Sequence, residues 1–210
     1  MVTSSRTEQR LQRVAARCSD DPARAILGLL HPPILRILAE GRPATVDELA
    51  AVTSRPAEQI MEMLRRVRPI ELDSDGSVLG LGLTLLPTAH HVQLPGRQHL
   101  LFAWCAPDAL ILPSVIGEPA RVTSPCHATH QPITVELSGE AVTRVDPPSA
   151  VVSFVLSPDR GDLRGTGCGH QNLFASAEAA ADCLITHPDC EVISVVQAFG
   201  LLAEARAACA

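Results

Sequence analysis

The sequence predicts an α+β fold, in which an N-terminal winged-helix-like lobe of three helices precedes a small antiparallel-sheet core with flanking helices. A helix-turn-helix pattern and a hairpin lie before residue 95, and short β-prone runs separated by Pro and Gly follow residue 117. Hydrophobic residues make up 46% of the 210 residues and charged residues 19%, which favours a globular chain. We therefore expect a helical lobe over residues 1–94 and an α+β core over residues 95–210.

The first part of the lobe is predicted as short helices. Residues 5–18 fit a polar amphipathic helix. Asp21-Pro22 provides a cap and a first-turn proline for a second helix, which is expected to end near Leu30 because Pro32-Pro33 breaks the chain. A further helical piece follows over residues 34–40.

The second part of the lobe contains the helix-turn-helix pattern. Thr45 and Glu48 form a capping-box sequence for a helix over residues 46–52. Ser54 is expected to cap the next helix, which runs to about residue 67. A hairpin that turns at Asp75-Gly76 completes the predicted winged-helix-like unit.

The core is predicted to begin at a turn, Pro95-Gly96, and to contain one small antiparallel sheet. Four β-prone runs of regular spacing are expected to form this sheet: residues 120–124, 133–137, 141–145 and 151–156. The remaining elements are a helix over residues 176–185 capped by Ser176, a strand over residues 191–195 and a C-terminal helix.

Charge and composition disfavour several classes of protein. The net charge is −6 and aromatic residues make up only 2% of the chain, which disfavours nucleic acid as a partner. No apolar run approaches the ~20 residues of a membrane span. The N-terminus lacks the apolar middle of a signal peptide. We therefore expect a cytoplasmic protein that binds neither nucleic acid nor a membrane.

The chain has seven cysteines, at scattered spacings and without a C-x-x-C pair. This pattern disfavours a disulfide framework or a four-cysteine zinc site, so we expect free thiols. Cys126, His127 and His130 could hold a metal, although a fourth ligand is not evident. The cysteines for which no partner is identifiable, and which we interpret as structural or surface thiols, are Cys18, Cys183, Cys190 and Cys209.

Cys105 and Asp108 are the residue pair best suited to chemistry. A short helix is expected to start near Pro107 and to end by Leu112, before Pro113. Cys105 would then lie at the helix N-terminus, which favours thiolate over thiol. Asp108, among apolar residues, would hold a proton near neutral pH. An inert interpretation stays open, because a buried cysteine is usually a small hydrophobe and a first-turn aspartate often only complements the helix dipole.

Cys168 lies between two glycines in the segment LRGTGCGHQNLFAS, residues 163–176. Glycine on both sides lets the backbone bend tightly and lets a ligand approach the sulfur. The alternative is a strand edge at which glycine relieves crowding. On its own, the sequence Cys168-Gly169-His170 is a weak signal.

Four segments carry a resemblance to a known family. They are FAWCAPDALILPSVIG from Phe102, SPCHAT around Cys126, CGHQNLFAS from Cys168 and VISVVQAFG from Val192. Together they resemble the alkylmercury (organomercurial) lyases, the bacterial mercury-resistance enzymes. The resemblance covers roughly residues 20–205, and its most specific part is W-C-A-x-D followed by L-I-x-P-x-x-I-G.

The resemblance implies a role for each matching residue. Cys105 corresponds to the family's first catalytic cysteine, Asp108 to its catalytic aspartate and Cys168 to its second catalytic cysteine. Cys126 corresponds to a further cysteine that is regarded as structural. Residues 95–210 would then form the catalytic core, while the family's N-terminal lobe is not known to read DNA.

Two positions depart from the family pattern. Gly169 stands where many members have a second cysteine beside the first, and this removes a spare thiol without touching the three matched residues. Phe102 stands where the family often has tyrosine, so no phenol is available there.

The activity implied by the resemblance is protonolytic cleavage of the carbon–mercury bond of R–Hg⁺ to hydrocarbon RH and Hg²⁺, for mercury detoxification. Mercury is soft and prefers thiolate ligands, so Cys105 and Cys168 would bind it while Asp108 carries the proton. No organic cofactor and no resident metal are required. The expected partners are the organomercurial substrate, cellular thiols that release Hg²⁺ and, as a further candidate, a mercuric reductase.

Two other functions remain open on the residues alone. A metal-responsive winged-helix transcriptional repressor would sense metal through the same cysteines and bind DNA through the Arg65–Arg68 region. The acidic net charge of −6 disfavours it. A metal carrier would hold Hg²⁺ or Cu⁺ between Cys105 and Cys168 and would make no use of Asp108.

Overall fold

The structure is a computed structural model, which describes residue 9 and residues 22–67, 69–155 and 168–207. The helices are α1 (Pro22–Leu38), α2 (Val46–Thr53), α3 (Ala57–Arg66), α4 (Ala106–Ile116), α5 (Ala181–Thr186) and α6 (Val195–Ala207). The strands are β1 (Glu71–Leu72), β2 (Val78–Leu81), β3 (Leu83–Thr84), β4 (His90–Gln93), β5 (Leu101–Ala103), β6 (Ala120–Pro125), β7 (Pro132–Leu137), β8 (Val142–Asp146), β9 (Val151–Val155), β10 (Leu173–Phe174) and β11 (Cys190–Ser194). A short 3₁₀ turn over Cys168–His170, named here the Cys168 turn, precedes β10.

Helix α1 is one continuous helix, so the predicted break at Pro32-Pro33 is wrong. A proline inside a helix removes a hydrogen bond and costs about 3 kcal/mol. The side chains of Leu30, Ile34 and Leu35 on either side of the prolines are fully buried. Burying each such side chain contributes about 1.5–3 kcal/mol, which offsets the cost. The helix predicted over residues 5–18 lies outside the described residues, apart from Gln9.

The predicted capping box at the start of α2 is confirmed. The Glu48 N–H donates to Thr45 Oγ1 at 3.3 Å, and the Thr45 N–H donates to Glu48 Oε2 at 3.1 Å. The predicted cap at Ser54 is wrong. Ser54 adopts a left-handed conformation (φ 54°) that ends α2, and Pro56 is the N-cap of α3. Pro56 and the two residues before it form a longer connection than the sequence pattern indicated.

An eight-stranded antiparallel sheet has the order β1-β2-β3-β5-β4-β6-β7-β8. The predicted hairpin at Asp75-Gly76 provides its first two strands. Three of the four β-prone runs form the neighbouring strands β6, β7 and β8. The fourth run was expected in the same sheet, and this is wrong. Strand β9 is instead the centre of a separate sheet, β10-β9-β11, because two later segments of the chain pair with it.

Helix α4 starts where the sequence predicts, but it continues through Pro113 to Ile116, so the predicted end at Leu112 is wrong. Its residues from Ala109 to Pro113 are buried against the core, and this packing stabilises the turn beyond the proline. Gly117, with a φ of 75°, ends the helix in a left-handed conformation that favours glycine.

The C-terminal elements follow the predicted order. The helix expected over residues 176–185 is shorter than predicted, because residues 177–180 form a turn before α5. Ser176 Oγ accepts the Ala179 N–H at 3.3 Å within that turn. Strand β11 leads directly into α6, as expected.

Two clusters of buried apolar residues hold the elements together. One lies among α1, α2, α3 and β2, and includes Leu30, Leu49, Ile60 and Val78. The other is shared by both sheets, α4 and α6, and includes Leu101, Leu110, Val135, Phe174 and Phe199. Among the described helices, none combines the length and the hydropathy that a bilayer-spanning segment needs.

Candidate active site

Cys105 is the N-cap residue of α4, with an extended backbone (φ −151°, ψ 170°). Strand β5 ends two residues earlier, and the Trp104 N–H donates a hydrogen bond of 2.9 Å to the Gly82 carbonyl. This bond fixes the junction between strand and helix. The Cys105 side chain points into the protein, with 3% of the residue exposed.

Cys168 reaches the same place through backbone hydrogen bonds. The Gln171 N–H donates to the Cys168 carbonyl at 3.1 Å, which closes the Cys168 turn. The Ala106 N–H, in the first turn of α4, donates to the Gln171 carbonyl at 3.0 Å. The Cys168 turn is therefore attached directly to the helix terminus that carries Cys105.

Ser153 of β9 holds the other side of the Cys168 turn. Its buried hydroxyl donates to the His170 carbonyl at 2.8 Å and accepts the Asn172 N–H at 3.0 Å. The Asn172 side-chain amide donates to the Gly169 carbonyl at 3.2 Å. These bonds attach the C-terminal end of the Cys168 turn to β9.

The structure brings Cys105, Asp108 and Cys168 together. One ligand atom from each residue lies within 4.8 Å of the others, and in the described part of the chain no other three His, Cys, Asp or Glu residues form such a group. Cys105 Sγ donates to Asp108 Oδ2 at 3.1 Å. A linear S–Hg–S unit would span about 4.6 Å or slightly more, given Hg–S bonds longer than the ~2.3 Å of Zn–S. The two sulfurs are thus close enough for one mercury ion to reach both after a small rotation of their side chains.

The surroundings of Cys105 and Asp108 favour the protonated, uncharged form of each side chain over the ionised form. Burial of the carboxyl raises the pKa of Asp108 to about 6. The hydrogen bond from Cys105 lowers this pKa and so opposes the shift, and part of the residue remains exposed to solvent. The hydrogen bond with Cys168, burial and the charge of Asp108 raise the pKa of Cys105 well above its ordinary value. This shift has the direction that the sequence predicts for Asp108, but a pKa of about 6 leaves the carboxyl mostly ionised at pH 7. The predicted thiolate at Cys105 is wrong, because these effects outweigh the helix dipole.

Gly82 is a site residue that the sequence reasoning missed. Its φ of +82° favours glycine, and a Cβ here would clash with Leu112 Cδ1 and lie 3.4 Å from Asp108 Oδ1. The backbone of residue 82 therefore packs directly against the carboxyl. A glycine between two apolar strands was the only sequence signal, and it did not indicate which residue it approaches.

The structure does not gather Cys126, His127 and His130 into a metal site. Cys126 is fully buried, and its sulfur accepts the N–H groups of Ala175 at 3.3 Å and Thr129 at 3.5 Å. The bond from Ala175 connects the loop after β6 to the segment after β10, and the bond from Thr129 lies within that loop. Cys126 therefore acts on the packing of the core.

The remaining cysteines divide into two groups. Cys18 and Cys209 lie outside the described residues. Cys183 and Cys190, for which the sequence alone identified no partner, have their sulfurs 3.5 Å apart.

Two of the arginines that the repressor alternative would place at a DNA interface form ion pairs within their own helix. Arg65 and Arg66 form surface ion pairs with Glu62, at 3.5 Å and 3.1 Å. Arg68 lies outside the described residues. The helix that would bind DNA in a repressor, α3, thus pairs these two arginines with its own glutamate. The repressor alternative is not favoured.

An α+β fold that brings two thiols and a carboxyl of raised pKa to one point suits a protein that acts on a soft metal ion through sulfur. The family model described as alkylmercury lyase matches residues 83–205, and the model described as the helix-turn-helix domain of alkylmercury lyase matches residues 8–82. The chain belongs to the alkylmercury lyase family.

Similar proteins carry the same name. An alkylmercury lyase of Bacillus cereus is 41% identical over 172 residues, which are 82% of this chain and 78% of that protein. The alkylmercury lyase of Streptomyces lividans is 38% identical over 197 residues, 94% of this chain and 91% of that protein. One from Pseudomonas putida is 40% identical over 82% of this chain and 80% of that protein.

The fold is also found in a solved structure. The crystal structure of the mercury-bound form of MerB2 superposes with a TM-score of 0.79 at 23% identity, and the match covers 96% of this chain and 100% of that chain. This likeness supports the α+β architecture, with helices before an antiparallel sheet.

Proposed function

We propose that this lyase cleaves the carbon–mercury bond of R–Hg⁺ with Cys105 and Cys168 as mercury ligands and Asp108 as the proton carrier. The observation that carries the proposal is the grouping of both sulfurs and the carboxyl within 4.8 Å. Mercury prefers two thiolate ligands, and the third group supplies what hydrocarbon release requires, a proton.

Capture of the substrate starts at Cys168. Cys168 is half-buried, whereas Cys105 is 3% exposed and protonated, so the organomercurial reaches Cys168 first. The Cys168 sulfur binds R–Hg⁺ and releases its own proton to solvent. Mercury then lies beside the Cys105 sulfur, which is the second ligand.

The proton moves from Cys105 to Asp108. The Cys105 thiol already donates to Asp108 Oδ2 at 3.1 Å. Binding of mercury weakens the hold of the sulfur on its proton, and Asp108, with a pKa of about 6, can accept it. The thiolate of Cys105 completes the two-sulfur coordination.

Cleavage then consumes the same proton. Protonated Asp108 delivers it to the carbon while the electron pair of the C–Hg bond forms the new C–H bond. The hydrocarbon RH leaves, Asp108 is again ionised, and Hg²⁺ remains between the two sulfurs. Apolar side chains near the carboxyl, such as Leu112, exclude water that would compete for the proton.

Release of the product requires partners from the cell. Small thiols exchange with the protein sulfurs by attack on the metal, and a mercuric reductase is a further candidate recipient. This chemistry fits a cytoplasmic enzyme that binds neither nucleic acid nor a membrane. We also propose the division into a helical lobe over residues 1–94 and a catalytic core over residues 95–210, since all three proposed catalytic residues belong to the second unit.

The proposal is tested with methylmercury and excess thiol, by measuring methane with gas chromatography. Parent protein should release methane, and Cys105→Ser and Cys168→Ser should each release none above the uncatalysed background. Cys209→Ser, which removes a cysteine that the proposal does not use, is the matched control and should keep the parent rate. Parent-like turnover in either Cys105→Ser or Cys168→Ser would refute the two-thiol mechanism.

A further inference from the structure

A second pair of thiols lies outside the proposed catalytic group. Cys183 of α5 and Cys190 of β11 have their sulfurs 3.5 Å apart, and both are free cysteines. Cys190 is 5% exposed, whereas Cys183 is half-buried. One sulfur is therefore held in the protein, and the other is accessible to an incoming ion.

The backbone between the two cysteines is fixed by its own hydrogen bonds. The His187 N–H donates to the Cys183 carbonyl at 2.9 Å, and the Cys190 N–H donates to the His187 carbonyl at 2.8 Å. The two thiols are thus held side by side by a closed loop, rather than by chance contact of flexible side chains.

The loop also contacts the Cys168 turn. The ring of His187 lies 4.3 Å from the ring of His170, the last residue of the Cys168 turn. Strand β11 pairs with β9, and Val192 of β11 lies opposite Ser153 of β9. Ser153 is the residue that bonds to the Cys168 turn. The second thiol pair is therefore built onto the same part of the fold that presents Cys168.

We propose that Cys183 and Cys190 form a second two-thiol site that binds Hg²⁺. Two-coordinate thiolate binding requires a sulfur separation of about 4.6 Å or slightly more, taken as twice the ~2.3 Å of a Zn–S bond. The sulfurs at 3.5 Å must separate by roughly 1 Å, which rotation of the half-buried Cys183 side chain allows. A third ligand is not required, because a soft ion of this kind is satisfied by two sulfurs.

Loading of the site is a ligand exchange without oxidation or reduction. Hg²⁺ arrives as a complex with two small thiolates. Two Hg–S bonds to the small thiols break, two Hg–S bonds to Cys183 and Cys190 form, and the two protons of the cysteines leave on the departing small thiols. The inference rests on the proposed function only for the origin of the ion in the cell.

The test uses the full chain with Cys105→Ser and Cys168→Ser, so that failure of the proposed catalytic roles does not affect it. The reduced protein is loaded with Hg²⁺ in excess glutathione and desalted, and mercury per chain is counted by elemental mass spectrometry. We expect about one Hg²⁺ per chain, and a fall of about tenfold or more when Cys183→Ser is added, because a single thiol loses the advantage of chelation. Cys18→Ser and Cys209→Ser, added singly, are matched controls that should retain the ion.

A second measurement does not depend on any variant at the new site. In the same double-serine background, bound Hg²⁺ should protect Cys183 and Cys190 from alkylation, as read by peptide mass spectrometry. Circular dichroism checks that each variant is folded. A mercury count that is unchanged by Cys183→Ser, or alkylation of both cysteines in the loaded protein, overturns the proposal.

Discussion

The N–H of Ala106 donates a 3.0 Å hydrogen bond to the carbonyl of Gln171, and this bond attaches the Cys168 turn to the first turn of α4. Because Ala106 follows Cys105 and Gln171 closes the Cys168 turn, the separation of the two sulfurs is set by backbone contacts. We therefore expect residues that support the Cys168 turn to affect mercury binding without touching the metal.

Ser153→Ala tests this support. The substitution removes the hydroxyl that bonds to the His170 carbonyl and the Asn172 N–H. Leaving buried polar groups unpaired costs about 1–3 kcal/mol, so the free energy of unfolding measured in urea should fall by about that amount. Hydrocarbon release at saturating substrate should fall as well, because Cys168 loses its fixed position. Ser153→Thr, which keeps the hydroxyl, should recover part of the rate.

Ser149→Ala is the matched control for Ser153→Ala. The Ser149 hydroxyl donates to the Ala175 carbonyl at 2.8 Å, outside the Cys168 turn. It should lower stability less than Ser153→Ala, because Ser149 is exposed, and it should leave the turnover of folded protein unchanged. Equal loss of turnover in both variants would show that Ser153 acts only on stability.

Gly82→Ala should impair the site through Asp108. The new Cβ clashes with Leu112 and lies 3.4 Å from Asp108 Oδ1, in a backbone conformation (φ +82°) that already disfavours alanine. Strain of this kind costs about 1–3 kcal/mol. We expect lower stability and a slower cleavage step in single-turnover assays, because the carboxyl is displaced from its position beside Cys105.

Gly76→Ala separates crowding from backbone strain. Gly76 has the same φ of +82°, but a Cβ there meets no atom within 4 Å. This variant should lose stability without losing cleavage rate. If Gly82→Ala cleaves as fast as Gly76→Ala, contact of residue 82 with Asp108 has no bearing on the reaction.

The raised pKa of Asp108 predicts a pH dependence of stability. Burial raises this pKa from 3.8 to about 6, so the folded chain holds the proton more tightly than the unfolded chain. The contribution of Asp108 to the free energy of unfolding is therefore largest below about pH 4 and falls as the pH rises to about 6 and above.

Asp108→Asn isolates that contribution, because asparagine does not titrate. The stability of the variant relative to the parent should rise between pH 4 and pH 7 by at most about 3 kcal/mol, the free-energy equivalent of the pKa difference. Urea unfolding of both proteins across this range measures it, and other titrating groups cancel in the difference. A difference that does not change with pH would contradict the raised pKa.

The local part of the candidate site could be predicted from the sequence. Pro107 and the apolar run after it predict a helix start, and this places Cys105 and Asp108 within one turn of each other. The partnership with Cys168 came from the family resemblance alone. The bonds that create it, from Ala106 to Gln171 and from Ser153 to His170, join distant segments and leave no periodic signal.

The wrong predictions about the fold also arise from contacts between segments that are distant in the sequence. Pro32-Pro33 and Pro113 were expected to end helices, but tertiary burial of α1 and α4 outweighs the local preference. Strand β9 was assigned to the wrong sheet because its partners lie far along the chain. The thiolate expected at Cys105 failed for an electrostatic reason, since burial and neighbouring acceptors outweigh the helix dipole.

The central claim is that Asp108 carries the proton that releases the hydrocarbon, and Asp108→Asn tests it most directly. One equivalent of methylmercury is added, and bound mercury and released methane are measured in the same sample. We predict that mercury binding is retained while methane release falls by at least ~100-fold, the usual contribution of a general acid. Asp47→Asn, an exposed aspartate of α2, should behave as the parent. Methane release from Asp108→Asn at the parent rate would contradict the claim.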